Sequence, residues 1–268
     1  MADWSVRVPA SSANLGPAFD AVAVALTTHL VITPSETGAP DSHPAVRAFR
    51  AAGGRGGLEV HASFPGGRGL GYSGAARVGG VLAGYRQAGK LGPDMRSAVL
   101  ERATRLEGHA DNVAASLMGG VVVVAAGRVV RVPLAITPAV VVWSPARETS
   151  TAASRKHFPE HVPFADAVFN VGRSALLVAA LVSGDVDALR DATADRLHQD
   201  ARLRAVPDSR AALDDAVAAG AWCAWLSGSG PSVAAFVDPT LAPAVAGALP
   251  ATGRAMVLDI DDEGAVAT

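Results

Sequence analysis

At 268 residues the chain is long enough to bury a large core and fits one big domain or two fused lobes. Hydrophobic residues make up 50%, charged residues 18% and the net charge is −2, which excludes the clustered basic surface that nucleic acid or an anionic membrane requires. The single cysteine, Cys223 in an apolar stretch, excludes an internal disulfide framework and suits a reducing cytoplasm.

The first residues, Met-Ala-Asp-Trp-Ser-Val-Arg, carry no basic segment followed by an apolar one, so no secretory leader is expected. Residues 5–8 predict a strand and 21–33 a longer one rich in Val, Ile and Thr, with a loop from Ser11 to Asp20 between them. After a polar loop at 36–43, a short helix is predicted over 45–52 and a strand over 58–64. That strand leads into the glycine-rich turn Pro65 to Ala76, and helices follow at 74–89 and 94–106, broken by Gly92-Pro93 and with Asp94 placed to accept free helix amides. The apolar run Ala114–Ala126 falls short of the ~20 residues of a membrane helix and is split by Gly119 and Gly120. It reads as a helix end feeding a buried strand. Strands are expected at 121–124, 129–132 and 140–143, with Gly127-Arg128 as a hairpin turn. The second half predicts helices at 164–183, 185–203, 209–219 and 240–249 and strands at 222–227, 233–237 and 255–260. Strands interspersed with paired helices, without strict βαβ alternation, predict a two-layer α+β architecture.

The glycine-rich turn lies where a phosphate cradle would. Glycines let backbone N–H groups approach an anion, and a helix opening at Ser73 adds free amides and its positive dipole end. A tight strand-to-helix connection accounts for the same residues, and the other polar clusters are equally two-sided. Asn14 and Asp20 read as turn formers, His109 and Asp111 as helix caps, and 227–232 as a hairpin. Together they make four loops whose side chains can converge over one sheet edge.

Val6-Arg7-Val8-Pro9-Ala10-Ser11-Ser12-Ala13-Asn14-Leu15-Gly16-Pro17-Ala18-Phe19-Asp20 resembles the first motif of the GHMP small-molecule kinases. Pro65 to Ala76 resembles their phosphate loop, Glu107 to Gly120 the segment after it, and Leu226 to Ser232 the third motif. Thr149-Ser150-Thr151 with Arg155, Asp166 to Asn170, and Asp195 to Gln199 with Arg202 are similar to the homoserine kinase branch in particular. The resemblance implies a GHMP-kinase-like fold with a ribosomal-protein-S5-like half (1–135, holding the nucleotide) and a ferredoxin-like α/β half (136–268, completing the substrate site). It implies ATP-dependent phosphorylation of the hydroxyl of L-homoserine, a step of threonine biosynthesis. Another small amino or hydroxy acid as acceptor, or a catalytically silent ligand-binding role, stays open.

On that resemblance Pro65, Gly67, Arg68, Gly69, Leu70, Gly71, Tyr72, Ser73, Gly74 and Ala75 form the nucleotide loop, with Gly69, Gly71, Ser73, Gly74 and Ala75 offering amides to the phosphates. Ser73 and Glu107 are the expected Mg²⁺ ligands, although Glu107 also reads as an ordinary helix-end carboxylate. Arg155 and Arg202 are expected on the substrate carboxylate, and Asn14, Asp20, His109 and Asp111 on its ammonium and hydroxyl. The alternative for the arginines is a solvated basic face beside Lys156 and Arg204. Asn112 and Thr151 would align the hydroxyl for direct transfer, since an amide cannot act as a base. Expected partners are ATP, the amino acid and at most a second copy of the chain. The sequence departs from the family at Ala18, where glycine is usual, at Tyr72, where the loop usually has a serine, at Gly74, usually alanine, and at Asp41-Ser42-His43-Pro44, where an Asn-rich nucleotide contact is usual. Tyr72 then stacks on the nucleotide, lines the substrate pocket or obstructs the metal position.

Overall fold

The computed structural model describes residues 4–147, 158 and 160–268. The first part of the chain runs β1 (Val6–Ala13), β2 (Val22–Ser35), α1 (Pro44–Ala51), β3 (Gly57–Ala62), α2 (Tyr72–Gln87), α3 (Met95–Glu107), α4 (Asp111–Met118), β4 (Val121–Ala125) and β5 (Arg128–Val132). It continues through β6 (Ala139–Pro145), α5 (Phe164–Ser183), α6 (Val186–Ala192), α7 (Gln199–Leu203) and α8 (Pro207–Ala218). The chain closes with β7 (Cys223–Leu226), β8 (Val233–Val237), α9 (Ala242–Ala248), β9 (Gly253–Leu258) and β10 (Val266–Ala267). Strands form one sheet in the order β10-β1-β2-β4-β5, with β3 also on β2, and a second in the order β7-β8-β6-β9. Every pairing is antiparallel. Helices α2 and α4 pack on the first sheet and α8 and α9 on the second, giving the α+β layering predicted from the order of elements.

Burial explains why these segments are strands. Val22 to Leu26 of β2 are buried throughout, paired with β1 and β4, while from Thr28 to Ile32 buried and half-buried residues alternate with the period of two of a strand covered on one face. β6 is buried along its whole length: Val140 and Val142 join the main core, and Ala139, Val141 and Trp143 a second core under α8 and α9. Helix α2 packs through small residues. A Cβ on Gly80 would stand 2.1 Å from the Ala45 carbonyl oxygen, so a glycine there allows α1 to close on α2.

The structure corrects several sequence expectations. β1 runs on through Ser11 to Ala13, because the buried start of β2 supplies a ladder that continues past a register shift between Pro9 and Ala10. The predicted helix 185–203 breaks into α6 and α7, since the Asp195 carboxylate accepts the N–H groups of Leu197, His198 and Gln199 at 2.7–3.1 Å and starts a new helix. Asp94 stands at the N-cap of α3 without a side-chain bond to it. The β4–β5 turn falls on Ala126-Gly127, both at positive φ (49° and 75°), one residue earlier than expected. The short β10, absent from the sequence reading, pairs with β1 and carries the C-terminal segment back into the first sheet. Helix α5 is apolar and long enough to span a membrane by composition alone. It is nevertheless pinned to the fold by Asn170, which is buried and donates to the Pro17 carbonyl and the Asp195 carboxylate.

Candidate active site

Three segments far apart in sequence are tied into one frame by a directed run of hydrogen bonds. Trp225 Nε1 donates to Ser12 Oγ (2.9 Å), Ser12 Oγ lies 2.7 Å from Ser227 Oγ, and Ser227 Oγ donates to the Gly69 carbonyl (2.6 Å). Backbone bonds run alongside, from Ser11 N to Leu70 O, Gly228 N to Ala13 O and Ser232 N to Arg68 O. Asn14 completes the frame: Nδ2 donates to Gly228 O and Oδ1 accepts the Asp20 amide, each at 3.0 Å. Both ends of that amide are thereby committed to the protein. Asn14 holds the first motif in a left-handed bend (φ 78°) and aims Asp20, at φ 55°, into the cleft. The Gly230–Pro231 peptide of the third motif is cis.

Within this frame lies a cleft of about 350 Å³. Of the residues expected at the site, Asn14, Asp20, Gly67, Gly69, Gly71, Tyr72, Ser73, Glu107, His109, Asp111, Asn112 and Arg202 line it. Pro65, Arg68, Leu70, Gly74 and Ala75 do not. Leu70 is buried as an anchor of the loop, and Arg68 Nη2 donates to the Ala146 carbonyl. Helix α2 opens one residue earlier than expected, with Gly71 as N-cap, so the amides of its first turn belong to Tyr72, Ser73 and Gly74. Ala75 N is bonded to Gly71 O (2.9 Å) and is not available to an anion, which removes it from the expected cradle. Gly71 has φ 65°, and a Cβ there would stand 2.0 Å from Ser11 Oγ, so the bend that presents these amides admits glycine alone. Thr151 and Arg155 lie outside the described residues.

The Tyr72 ring lines the cleft and packs toward the start of α1. Its ring meets Phe64 and His43 edge-on, and His43 Nε2 donates to Tyr72 Oη (3.0 Å) while His43 Nδ1 accepts the Ala45 amide at the start of α1. Burial lowers the His43 pKa, consistent with that neutral form, and burial raises the Tyr72 pKa. The tyrosine thus forms a wall of the cleft and bridges α2 to α1.

Next to Tyr72 on α2, Ser73 Oγ donates to Glu107 Oε2 (3.0 Å), and Arg77 Nη1, one turn along the helix, contacts both oxygens. Two hard oxygens at the cleft wall fit a Mg²⁺ ion in kind. Glu107 is the last residue of α3 before Gly108, and its other oxygen is 3.8 Å from His109 Nε2. His109 Nδ1 donates to Asp111 Oδ1 (3.0 Å), which also accepts the Asn112 amide. The hydrogen bond to Asp111 raises the His109 pKa; burial opposes it, and the charges of Asp111, Glu107 and Asp20 add to the rise. Asn112 Oδ1 accepts from Ser11 Oγ (2.9 Å), which seats the asparagine at the end of the cleft.

Arg202 is 7% exposed and stacks over the rings of Phe19 and Phe158, 5.2 and 4.8 Å from their centroids. Its Nη1 donates to the Gly228 carbonyl and to His198 Nδ1, each at 3.1 Å, and His198 Nε2 donates to Gly16 O at 2.7 Å. Burial lowers the His198 pKa; Asp195 opposes and Arg202 adds to the fall, so the ring is neutral and its Nδ1 free to accept. Burial alone would raise Asp195, but His198, the Asn170 amide and the N–H groups of Gln199 and His198 outweigh it and hold that carboxylate below the usual range. Sequence reading missed the holding role of His198 and the whole of Arg77. The only available signal for the latter was its spacing of four from Ser73 on one helix face.

Known proteins match along the whole chain. The GHMP kinase N-terminal domain matches residues 42–120 and the GHMP kinase C-terminal domain residues 177–255. The chain is 38% identical to a homoserine kinase of Moorella thermoacetica, over 92% of this chain and 93% of that one. It is 37% identical to one of Streptomyces coelicolor, over 97% and 93%. The crystal structure of a homoserine kinase from Cytophaga hutchinsonii superposes with a TM-score of 0.84 at 25% identity, covering 100% of this chain and 98% of that one.

Proposed function

The chain belongs to the GHMP kinase family, and we propose that it transfers the γ-phosphoryl group of ATP to the hydroxyl of L-homoserine. The observation that carries this reading is that the glycine-rich loop and the buried Arg202 face one cleft, because a phosphate cradle opposite a fixed guanidinium suits a kinase whose acceptor bears a carboxylate. The amides of Tyr72 and Ser73, with the positive end of α2, bind the phosphates. Mg²⁺, where bound, neutralises phosphate charge, and Ser73 and Glu107 are the side chains that would hold it.

Arg202 takes the substrate carboxylate, held in orientation by Gly228 and His198 and shielded from water by Phe19 and Phe158. Arg155 is its proposed partner on the sequence resemblance. Asp20, aimed by Asn14, and Asp111 supply negative charge for the ammonium group. Asn112, seated by Ser11, orients the hydroxyl together with Thr151. Asn112 is an amide and cannot act as a base, so catalysis rests on alignment and charge. An ATP-consumption screen over homoserine, threonine, serine and small polyols tests the assignment. Homoserine is expected to give the highest kcat/KM, and equal turnover of a polyol lacking a carboxylate would overturn it.

A further inference from the structure

We propose that Arg77 is a resident competitor for the divalent cation: its guanidinium occupies Ser73 and Glu107 in the nucleotide-free protein and yields them only to a cation arriving with ATP. This inference rests on the reading of Ser73 and Glu107 as the metal-facing pair.

Glu107 ends α3, where the helix dipole disfavours a negative charge, and its side chain is only 8% exposed. A carboxylate so placed requires a cation. Arg77 supplies one. Lying four residues beyond Ser73 on the same face of α2, it reaches Ser73 Oγ and Glu107 Oε2 with a single nitrogen, and those are the two oxygens a hard cation would take. The remaining oxygen, Glu107 Oε1, lies 3.8 Å from His109 Nε2. A divalent ion approaching without nucleotide gains one carboxylate already paired with Arg77 and meets its guanidinium. Triphosphate reverses that balance, because its oxygens attract the metal and also offer the guanidinium a partner it matches in geometry.

Arg77→Met removes the charge and keeps much of the side chain's bulk, while Arg77→Gln keeps a hydrogen-bond donor for Glu107 if the methionine variant folds poorly. Mn²⁺ titrated into nucleotide-free protein and followed by electron paramagnetic resonance is expected to leave wild type unbound up to about 1 mM and to bind either neutral variant. Arg77→Lys should behave as wild type, and adding Glu107→Gln to Arg77→Met should abolish the gained binding. In melting experiments Mg²⁺ alone should raise the Tm of the neutral variants and leave wild type unchanged. Equal Mn²⁺ affinity in wild type and the neutral variants, or no gain in either variant, would overturn the proposal. Absence of homoserine-dependent ADP formation in wild type would instead sink the kinase reading, and the Mn²⁺ and melting results would still decide the role of Arg77.

Discussion

Replacing Arg202 by alanine separates substrate recognition from nucleotide binding. In the structure this guanidinium is 7% exposed, bonded through Nη1 to Gly228 O and His198 Nδ1, and stacked between two phenyl rings. A substrate carboxylate docked there is desolvated, and truncating one partner of such a pair costs ~2–5 kcal/mol. At ~1.4 kcal/mol per decade, that raises KM for homoserine from about 30-fold to a few thousand-fold. KM for ATP should change by less than about twofold, because the cradle amides stand at the start of α2 whereas Arg202 is held on α7 by Gly228 and His198. The variant also strips a donor from His198 and Gly228, a loss of about 1–3 kcal/mol in stability, so the assay belongs well below its lowered Tm. Initial rates with each substrate varied in turn give the answer. A wild-type KM for homoserine, or equal weakening of both substrates, would refute the clamp.

Other expected outcomes follow from the same geometry. Glu107→Gln should lower Mg²⁺-dependent kcat by orders of magnitude with an unchanged circular dichroism spectrum, and near wild-type activity at all Mg²⁺ concentrations would reduce Glu107 to a helix-end residue. Tyr72→Ser should preserve or raise kcat with homoserine, since the cradle uses backbone amides, while losing the bond to His43 should lower Tm by a few degrees, roughly 1 kcal/mol; loss of ATP binding would make the ring a nucleotide contact. Gly71→Ala should abolish ATP binding or folding, because its Cβ would overlap Ser11 Oγ at a positive φ, and a soluble variant with normal ATP affinity would contradict that packing. Because burial depresses the His198 pKa, the unfolded chain binds the proton first as pH falls below the ordinary value of 6.5, so stability should fall there and be regained as pH rises. His198→Asn should flatten that slope in melts between about pH 5 and 7, and an unchanged slope would place the titration elsewhere.

The parts of the site that sequence made legible are those whose chemistry is local. A glycine-rich turn between a strand and a helix announces free amides by its own composition, and Val233–Val237 and Phe164–Ser183 reveal their boundaries through flanking glycine and proline. Apolar spacing continues across Thr193 to His198 and predicts one helix over 185–203, whereas the deciding element is one carboxylate, Asp195, that captures three amides ahead of it. The two residues of β10 carry no pattern of their own, and their pairing with β1 is a contact between the two ends of the chain.

Contacts across long sequence separations also explain why roles were harder to read than identities. Asn14 has the composition of a substrate ligand, yet Gly228, 214 residues away, and Asp20 are hydrogen-bonded to the two ends of its amide, so it also fixes the position of Asp20. Arg202 presents the converse: a basic helix face predicts solvent, but Phe19 and Phe158 cover it and His198 fixes its plane. A buried cation is tolerated when it is paired, and here His198 Nδ1 and the Gly228 carbonyl each take a hydrogen bond from Arg202 Nη1. Arg202, Asp20, Glu107 and Asp111 line one cleft, so both signs of charge face the space a substrate would take. Carboxylates and a guanidinium lining one cleft favour an acceptor that carries both a carboxylate and an ammonium group, and that lining arises only when the first motif, α7 and the third motif are folded against one another.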